Sequence, residues 1–204
     1  MAELSLPSEI VLASNNLKKL AELQRVFEAE NLKIKVYSLK DFPPYPEPAE
    51  TELTFEGNAL LKARAAVQNT GVCAVADDSG LEVDALNRMP GVFSARWAGK
   101  PSDDKNNLAL LLSQISDVPD NQRSARFVCA LALVTPEGTE KVWRETMEGQ
   151  LTNSARGAGG FGYDPIFIPA GYEVTSAELS SAEKDAISHR GKAIRAMVAD
   201  LIST

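Results

Sequence analysis

Apolar residues recur along the chain in two periods, and the alternation between them predicts strands and helices in turn. Residues 9–13 (EIVLA) form a short apolar run with the length of a buried strand. Ser14-Asn15-Asn16 then offers N-cap chemistry to a helix that carries Leu17, Leu20, Leu23 and Phe27 on one face. KIKVYSL predicts a second strand, and Pro43, Pro44, Pro46 and Pro48 keep the following stretch irregular and solvent-facing. Thr54 can cap a helix over NALLKARAAVQN that stops at Gly71. VCAVA predicts a third strand that runs out into Asp77-Asp78-Ser79-Gly80.

The second half begins with a loop rich in Pro, Gly and Ser (MPGVFSARWAGKPS) and a helix over LALLLSQI. RFVCALALVT and TEKVWRETMEG read as two strands joined by the turn signal Pro136-Glu137-Gly138. A Gly-rich segment follows at 156–163, and Ile194, Met197, Val198 and Leu201 give the final stretch a helical period. With no internal repeat, low-complexity tract or linker, the pattern predicts one α/β domain with a mixed sheet over residues 1–204.

A chain of 204 residues suits one domain with at most a small added lobe, and its 44% hydrophobic content suffices for a sizeable core. The net charge of −7 excludes a general nucleic-acid binder, which would show a basic surplus. An acidic body can still bind a polyanion through a local cluster of Lys, Arg and backbone N–H groups aided by a divalent cation. No apolar run reaches the roughly 18 residues that span a bilayer, and the first residues lack a signal-peptide pattern, so a cytoplasmic protein without membrane contact is expected. Cys73 and Cys129 lie in apolar runs and read as buried free thiols; with His189 the only histidine, a zinc site has little to build on.

Four segments could carry chemistry, and each has a plainer reading. The strand-to-helix junction at Ser14, Asn15, Asn16, Leu17, Lys18 and Lys19 could hold phosphate on helix N–H groups and lysines, or be an ordinary cap with solvated lysines. It is not the P-loop pattern. Asp77 and Asp78 at a strand end could hold a hard cation and activate water, or simply make a turn with Ser79 and Gly80. Phe161 in the run from Gly159 to Pro165 could stack on a nucleobase, or Phe161 and Tyr163 could both be core residues. Lys184, His189 and Arg190 could be functional or structural.

Taken together, Ser14-x-Asn16-x-x-Lys19, Ala76-Asp77-Asp78-Ser79-Gly80, Phe161-Gly162-Tyr163-Asp164 and Ser188-His189-Arg190-Gly191 occur in the order of the inosine triphosphatase family. Asn58-Ala59-x-x-Lys62-Ala63, Pro90-Gly91 and Ser94-Ala95-Arg96 fit the same register, so the chain resembles that family from about Ile10 to Leu201. The resemblance implies an elongated α/β domain with a long mixed sheet, two lobes around a central active-site cleft, and a homodimer. It implies a pyrophosphatase for non-standard purine nucleoside triphosphates such as ITP, dITP and XTP. Ser14, Asn15, Asn16, Leu17, Lys18 and Lys19 would hold the triphosphate. Asp78 would bind Mg²⁺ and act as base, with Asp77 supporting the metal and Ser79 touching substrate. Phe161, Gly162, Tyr163 and Asp164 would hold the nucleoside, and Lys184, His189 and Arg190 would recognise base and phosphates.

Many bacterial relatives carry a Glu immediately before the residue matching Asn58, as a magnesium ligand; here that position is Gly57, which makes Glu56 the candidate replacement. Two other readings compete: a Maf-type pyrophosphatase, which should lack the FGYD and SHRG segments, and a nucleotide sensor that has lost its metal site.

Overall fold

The structure, a computed structural model, describes residues 7–203, and of Lys18 only the backbone. The chain alternates strands and helices: β1 (Glu9–Leu12), α1 (Leu17–Ala29), β2 (Lys35–Ser38), α2 (Phe55–Thr70), β3 (Ala74–Val83), β4 (Met89–Pro90), α3 (Asp104–Gln114), β5 (Ser124–Val134), β6 (Glu140–Leu151), β7 (Phe167–Pro169), α4 (Ser181–Ile187) and α5 (His189–Ile202). The sheet order is β2-β1-β3-β5-β6-β7, with β4 paired to β3. Parallel pairing of β1 with β2 and β3, and antiparallel pairing of β3 with β4 and β6 with β7, make the sheet mixed, as predicted.

Two compact units divide the residues, the first made of 1–78, 129–145 and 190–204, the second of 79–128 and 146–189. In the first, Ile10, Leu12, Cys73, Val75, Cys129 and Leu131 pack with Leu23, Val26 and Phe27 of α1 and with Ile194, Met197, Val198 and Leu201 of α5. Both helices therefore bury the stripe that their periodicity marks. Leu17 is the exception at 61% exposure, because it sits in the first turn. Thr54 caps α2 by accepting the Gly57 N–H, and Gly71 ends it at φ 69°, a left-handed conformation that suits glycine. Ala59, Ala63 and Ala66, all fully buried, let α2 pack closely. The second unit has its own core of Leu81, Val83, Leu111, Ile115, Phe127, Ile166 and Phe167.

β3 runs further than the apolar run VCAVA predicts. Asp77-Asp78-Ser79-Gly80 neither ends the strand nor turns it; β3 runs straight through to Val83, with Glu82 and Val83 paired to β4. Of its ten residues only Ser79 is not buried. The polar tetrapeptide stays extended because its side chains find partners on both faces of the sheet.

Candidate active site

Successive side chains of a strand point to opposite faces, so Asp77 and Asp78 are separated by the pleat although adjacent in sequence. Asp77 follows Cys73 and Val75 onto the face covered by α1 and α5. There its carboxylate accepts from Lys19 Nζ at 2.9 Å and from Arg190 Nε at 3.1 Å. Arg190 also donates to Glu22 Oε2 at 2.8 Å, making a buried chain of alternating charge between β3, α1 and α5. Burial raises the Asp77 pKa, but Lys19, Arg190 and Lys62 together outweigh it and hold the group far below the usual carboxylate range. Asp77 is thus a fixed negative charge that sets Lys19 and Arg190 in place.

Asp78 projects to the α2 face. Its Oδ1 accepts from Lys62 Nζ at 3.0 Å and its Oδ2 from Asn58 Nδ2 at 3.2 Å. Asn58 and Lys62 are four residues apart on α2, the spacing that brings two side chains to one face of a helix. Lys62 Nζ reaches Glu50 Oε1 as well, at 3.0 Å, so one ammonium is shared by two carboxylates. Asn58 holds the loop ahead of α2, accepting the Glu52 N–H at 3.0 Å and donating to the Glu52 carbonyl at 3.3 Å. Burial pushes the Asp78 pKa upward; Lys62 opposes this and Glu50 adds to it. The two adjacent aspartates therefore differ in kind: cations hold the pKa of one far down, while burial pushes that of the other up against the pull of Lys62.

Glu50, Asn58 and Lys62 join the site only in the fold, although Asn58 and Lys62 lie in a motif of the family resemblance. The helical spacing of the last two was a usable signal; nothing local marked Glu50. Glu56 turns elsewhere, with Oε1 3.2 Å from Arg144 Nε and its side chain 38% exposed. At Gly57 a Cβ would lie 2.7 Å from Glu52 Cβ and 2.9 Å from its Cγ, so a side chain there requires Glu52 to shift.

At the start of α1, Ser14 Oγ accepts the Asn16 N–H at 3.2 Å, and the first helical turn holds no acidic residue. Asn15 and Leu17 are exposed and Asn16 partly so. The Lys18 side chain lies outside the described residues.

In the second unit Phe161 and Tyr163 part company. Phe161 is 38% exposed, whereas Tyr163 is 4% exposed and donates its hydroxyl to the Ser94 carbonyl at 2.9 Å. Tyr163 is a core residue, its pKa raised first by burial and then by Asp104. Asp164 Oδ2 accepts the Phe161 N–H at 2.8 Å and pairs with Lys184 Nζ, which also lies 5.3 Å from the centre of the Phe161 ring. Glycine is required at position 160, where φ is +72° and a Cβ would sit 2.1 Å from Asp164 Oδ2. His189 is buried and stacks on Phe127, ring centroids 5.1 Å apart.

A profile of the Ham1 family matches residues 10–200. The chain belongs to the Ham1 family. A dITP/XTP pyrophosphatase of Cutibacterium acnes is 54% identical over 198 residues, covering 96% of this chain and 97% of that protein. The crystal structure of a nucleoside-triphosphatase, dITP/XTP pyrophosphatase, of Mycobacterium abscessus shares 55% identity over 93% of this chain and 97% of its own, with a TM-score of 0.77. A HAM1 protein of Coxiella burnetii, 42% identical over 96% of this chain and 99% of its own, superposes with a TM-score of 0.88. The Ham1 fold, α/β with a mixed sheet flanked by helices, is the one expected from the motif order. Among the described residues of this family member, no helix is long and apolar enough to cross a membrane.

Proposed function

We propose that this chain hydrolyses dITP, XTP and ITP to the monophosphate and pyrophosphate, with residues 1–204 acting as one catalytic domain. The observation that carries the reading is the environment of Asp78, a buried carboxyl tied to Lys62 and Asn58 in a chain more than half identical to dITP/XTP pyrophosphatases. In the reaction a water oxygen attacks the α-phosphorus, the bond from that phosphorus to the α–β bridging oxygen breaks, and pyrophosphate leaves. Asp78 accepts the water proton, a task suited to a carboxyl whose pKa burial raises. Lys62 holds Asp78 in orientation, and Lys19, itself oriented by Asp77, meets the triphosphate together with the first N–H groups of α1.

The donor set fits Mg²⁺. Among the described residues no three acidic, histidine or cysteine side chains gather into a metal cage. Mg²⁺ needs only one or two carboxylates beside substrate phosphates and water, and Glu50 and Asp78 already flank one cation in Lys62. These two carboxylates would hold the ion. Bound there, Mg²⁺ supplies neutralising charge to the polyphosphate and the departing pyrophosphate. Asp77 is assigned to Lys19 and Arg190 instead, and Glu56 to Arg144.

Phe161 is assigned to stack on the base, with Gly162 and Asp164 shaping its loop and Lys184 beside it. Ser79, the one residue of β3 that is not buried, is assigned a substrate contact, while buried His189 stacks on Phe127 and buried Arg190 holds Asp77 and Glu22. Preference for hypoxanthine or xanthine over adenine rests on polarity: donors that face an acceptor at C6 are left unpaired by the adenine amine. The resemblance further supports a cytoplasmic homodimer, which light scattering and cell fractionation test.

The deciding experiment is product analysis with ITP and Mg²⁺. Pyrophosphate and IMP are expected in equal amounts, and Asp78→Asn is expected to lower turnover by about 10²–10⁴-fold while ITP still binds. Release of single phosphates, or near-normal turnover in Asp78→Asn, would overturn the assignment.

A further inference from the structure

The Phe161 loop is made of residues that fasten poorly by themselves. Gly157, Gly160 and Gly162 all have positive φ, and glycine loses more conformational freedom on ordering than any other residue. The Gly159 N–H donates to the Ala177 carbonyl at 2.9 Å, and two carboxylates take backbone N–H groups of the tip. The Phe161 N–H donates to Asp164 Oδ2 at 2.8 Å, within the loop itself, and the next N–H, that of Gly162, donates to Asp104 Oδ2 at 2.9 Å. Asp104 is remote in sequence and sits at the first position of α3, a helix anchored by buried Asn107 and Leu111 and capped by Asp103, whose Oδ1 accepts the Asn106 N–H at 2.8 Å. Asp164 lies in the same segment and is itself buried and paired with Lys184, while Asp104 belongs to a helix distant in sequence. Asp104 is therefore the point at which the Gly162 N–H is referred to a packed helix, beside the anchors that Tyr163 and Asp164 give the residues after it.

We infer that Asp104 is a positioning residue for nucleoside binding, holding the Gly162 N–H so that the Phe161 ring is presented before substrate arrives. The inference rests on the assignment of Phe161 to the base. A carboxylate accepting a backbone N–H makes a stronger bond than a neutral acceptor, and a loop ordered in advance spares the ligand that ordering on binding. The contact is equal in the ground and transition states, so its loss raises KM and leaves kcat nearly unchanged.

A plainer role must be separated from this one, since any acidic residue in a first helical turn favours the helix. The test compares Asp104→Ala, Asp104→Asn, Asp103→Ala and Phe161→Ala, with KM and kcat for ITP, thermal unfolding, and amide exchange at Gly162. Asp104→Ala is expected to raise KM about fivefold, the size of one ordinary hydrogen bond, with kcat within about twofold. Gly162 should lose protection in that variant. Asp104→Asn keeps an acceptor oxygen and should restore most of both. Asp103→Ala should lower thermal stability through α3 without moving KM. If Phe161→Ala raises KM and Asp104→Ala does not, or if Gly162 keeps its protection in Asp104→Ala, the positioning role is overturned. If Phe161→Ala itself leaves KM unchanged, the nucleoside assignment fails, and the positioning role falls with it.

Discussion

Arg190 offers the sharpest test of the electrostatic account. It is 5% exposed, and its guanidinium joins Glu22 Oε2 at 2.8 Å to Asp77 Oδ2 at 3.1 Å. Arg190→Met keeps an apolar stem of similar reach but takes a buried cation from two buried carboxylates. Removing one partner of a buried ion pair costs about 3–5 kcal/mol, because the remaining charge stays desolvated. Lys19 still holds Asp77 Oδ1 at 2.9 Å, so the lower half of that range is expected. For a chain of this length each kcal/mol shifts the midpoint by roughly 2–4 °C, so Tm should drop by roughly 6–16 °C in a thermal scan followed by circular dichroism. Glu22→Gln in the Arg190→Met background should then cost less than it does in the wild type, with a coupling of about 1–3 kcal/mol. A Tm change under about 3 °C, or additive effects of the two substitutions, would refute the claim that this chain of charges is a coupled unit.

Three further outcomes follow from the same geometry. Glu50→Gln should raise the Mg²⁺ concentration for half-maximal activity and weaken Mn²⁺ binding measured by paramagnetic resonance, while Glu56→Gln should change neither; the reverse pattern would return the metal to Glu56. Lys19→Ala should raise KM for ITP by about 10–100-fold, the value of a charge-assisted contact, and unaltered steady-state kinetics would remove Lys19 from the phosphate site. Cys73, whose thiol burial pushes up to about 11, should alkylate slowly at pH 8, where about one molecule in a thousand is thiolate, and faster as pH rises toward 11. Rapid labelling of Cys73 by iodoacetamide at pH 8 would contradict its burial.

What the linear chain settled by itself was the main elements; β4, β7 and α4, short and without a clear period, were not marked by it. The stripes Leu23-Phe27 and Ile194-Leu201 carry the helical period, the apolar runs at 9–13 and 126–135 have the length of buried strands, and Thr54 and Gly71 mark the ends of α2 with residues suited to those backbone states. Motif order was enough to place the chain in its family. Tertiary structure decided how the chemistry is shared out. Local composition allows Asp77-Asp78-Ser79-Gly80 to be either a pair of cooperating carboxylates at a strand end or a plain turn; packing makes it strand, and the pleat sends one aspartate to Lys19 and Arg190 and the other to Asn58 and Lys62. No residue-level signal near Glu50 announces that its carboxylate meets Lys62, and only the fold brings the Glu52 side chain within 2.7 Å of where a Cβ at Gly57 would lie. Phe161 and Tyr163 are two positions apart in one glycine-rich loop, and only the fold buries the second and leaves the first exposed. The physical reason is common to all of these: propensity and periodicity are local, while the charge state and partners of a side chain depend on what distant segments bring to it.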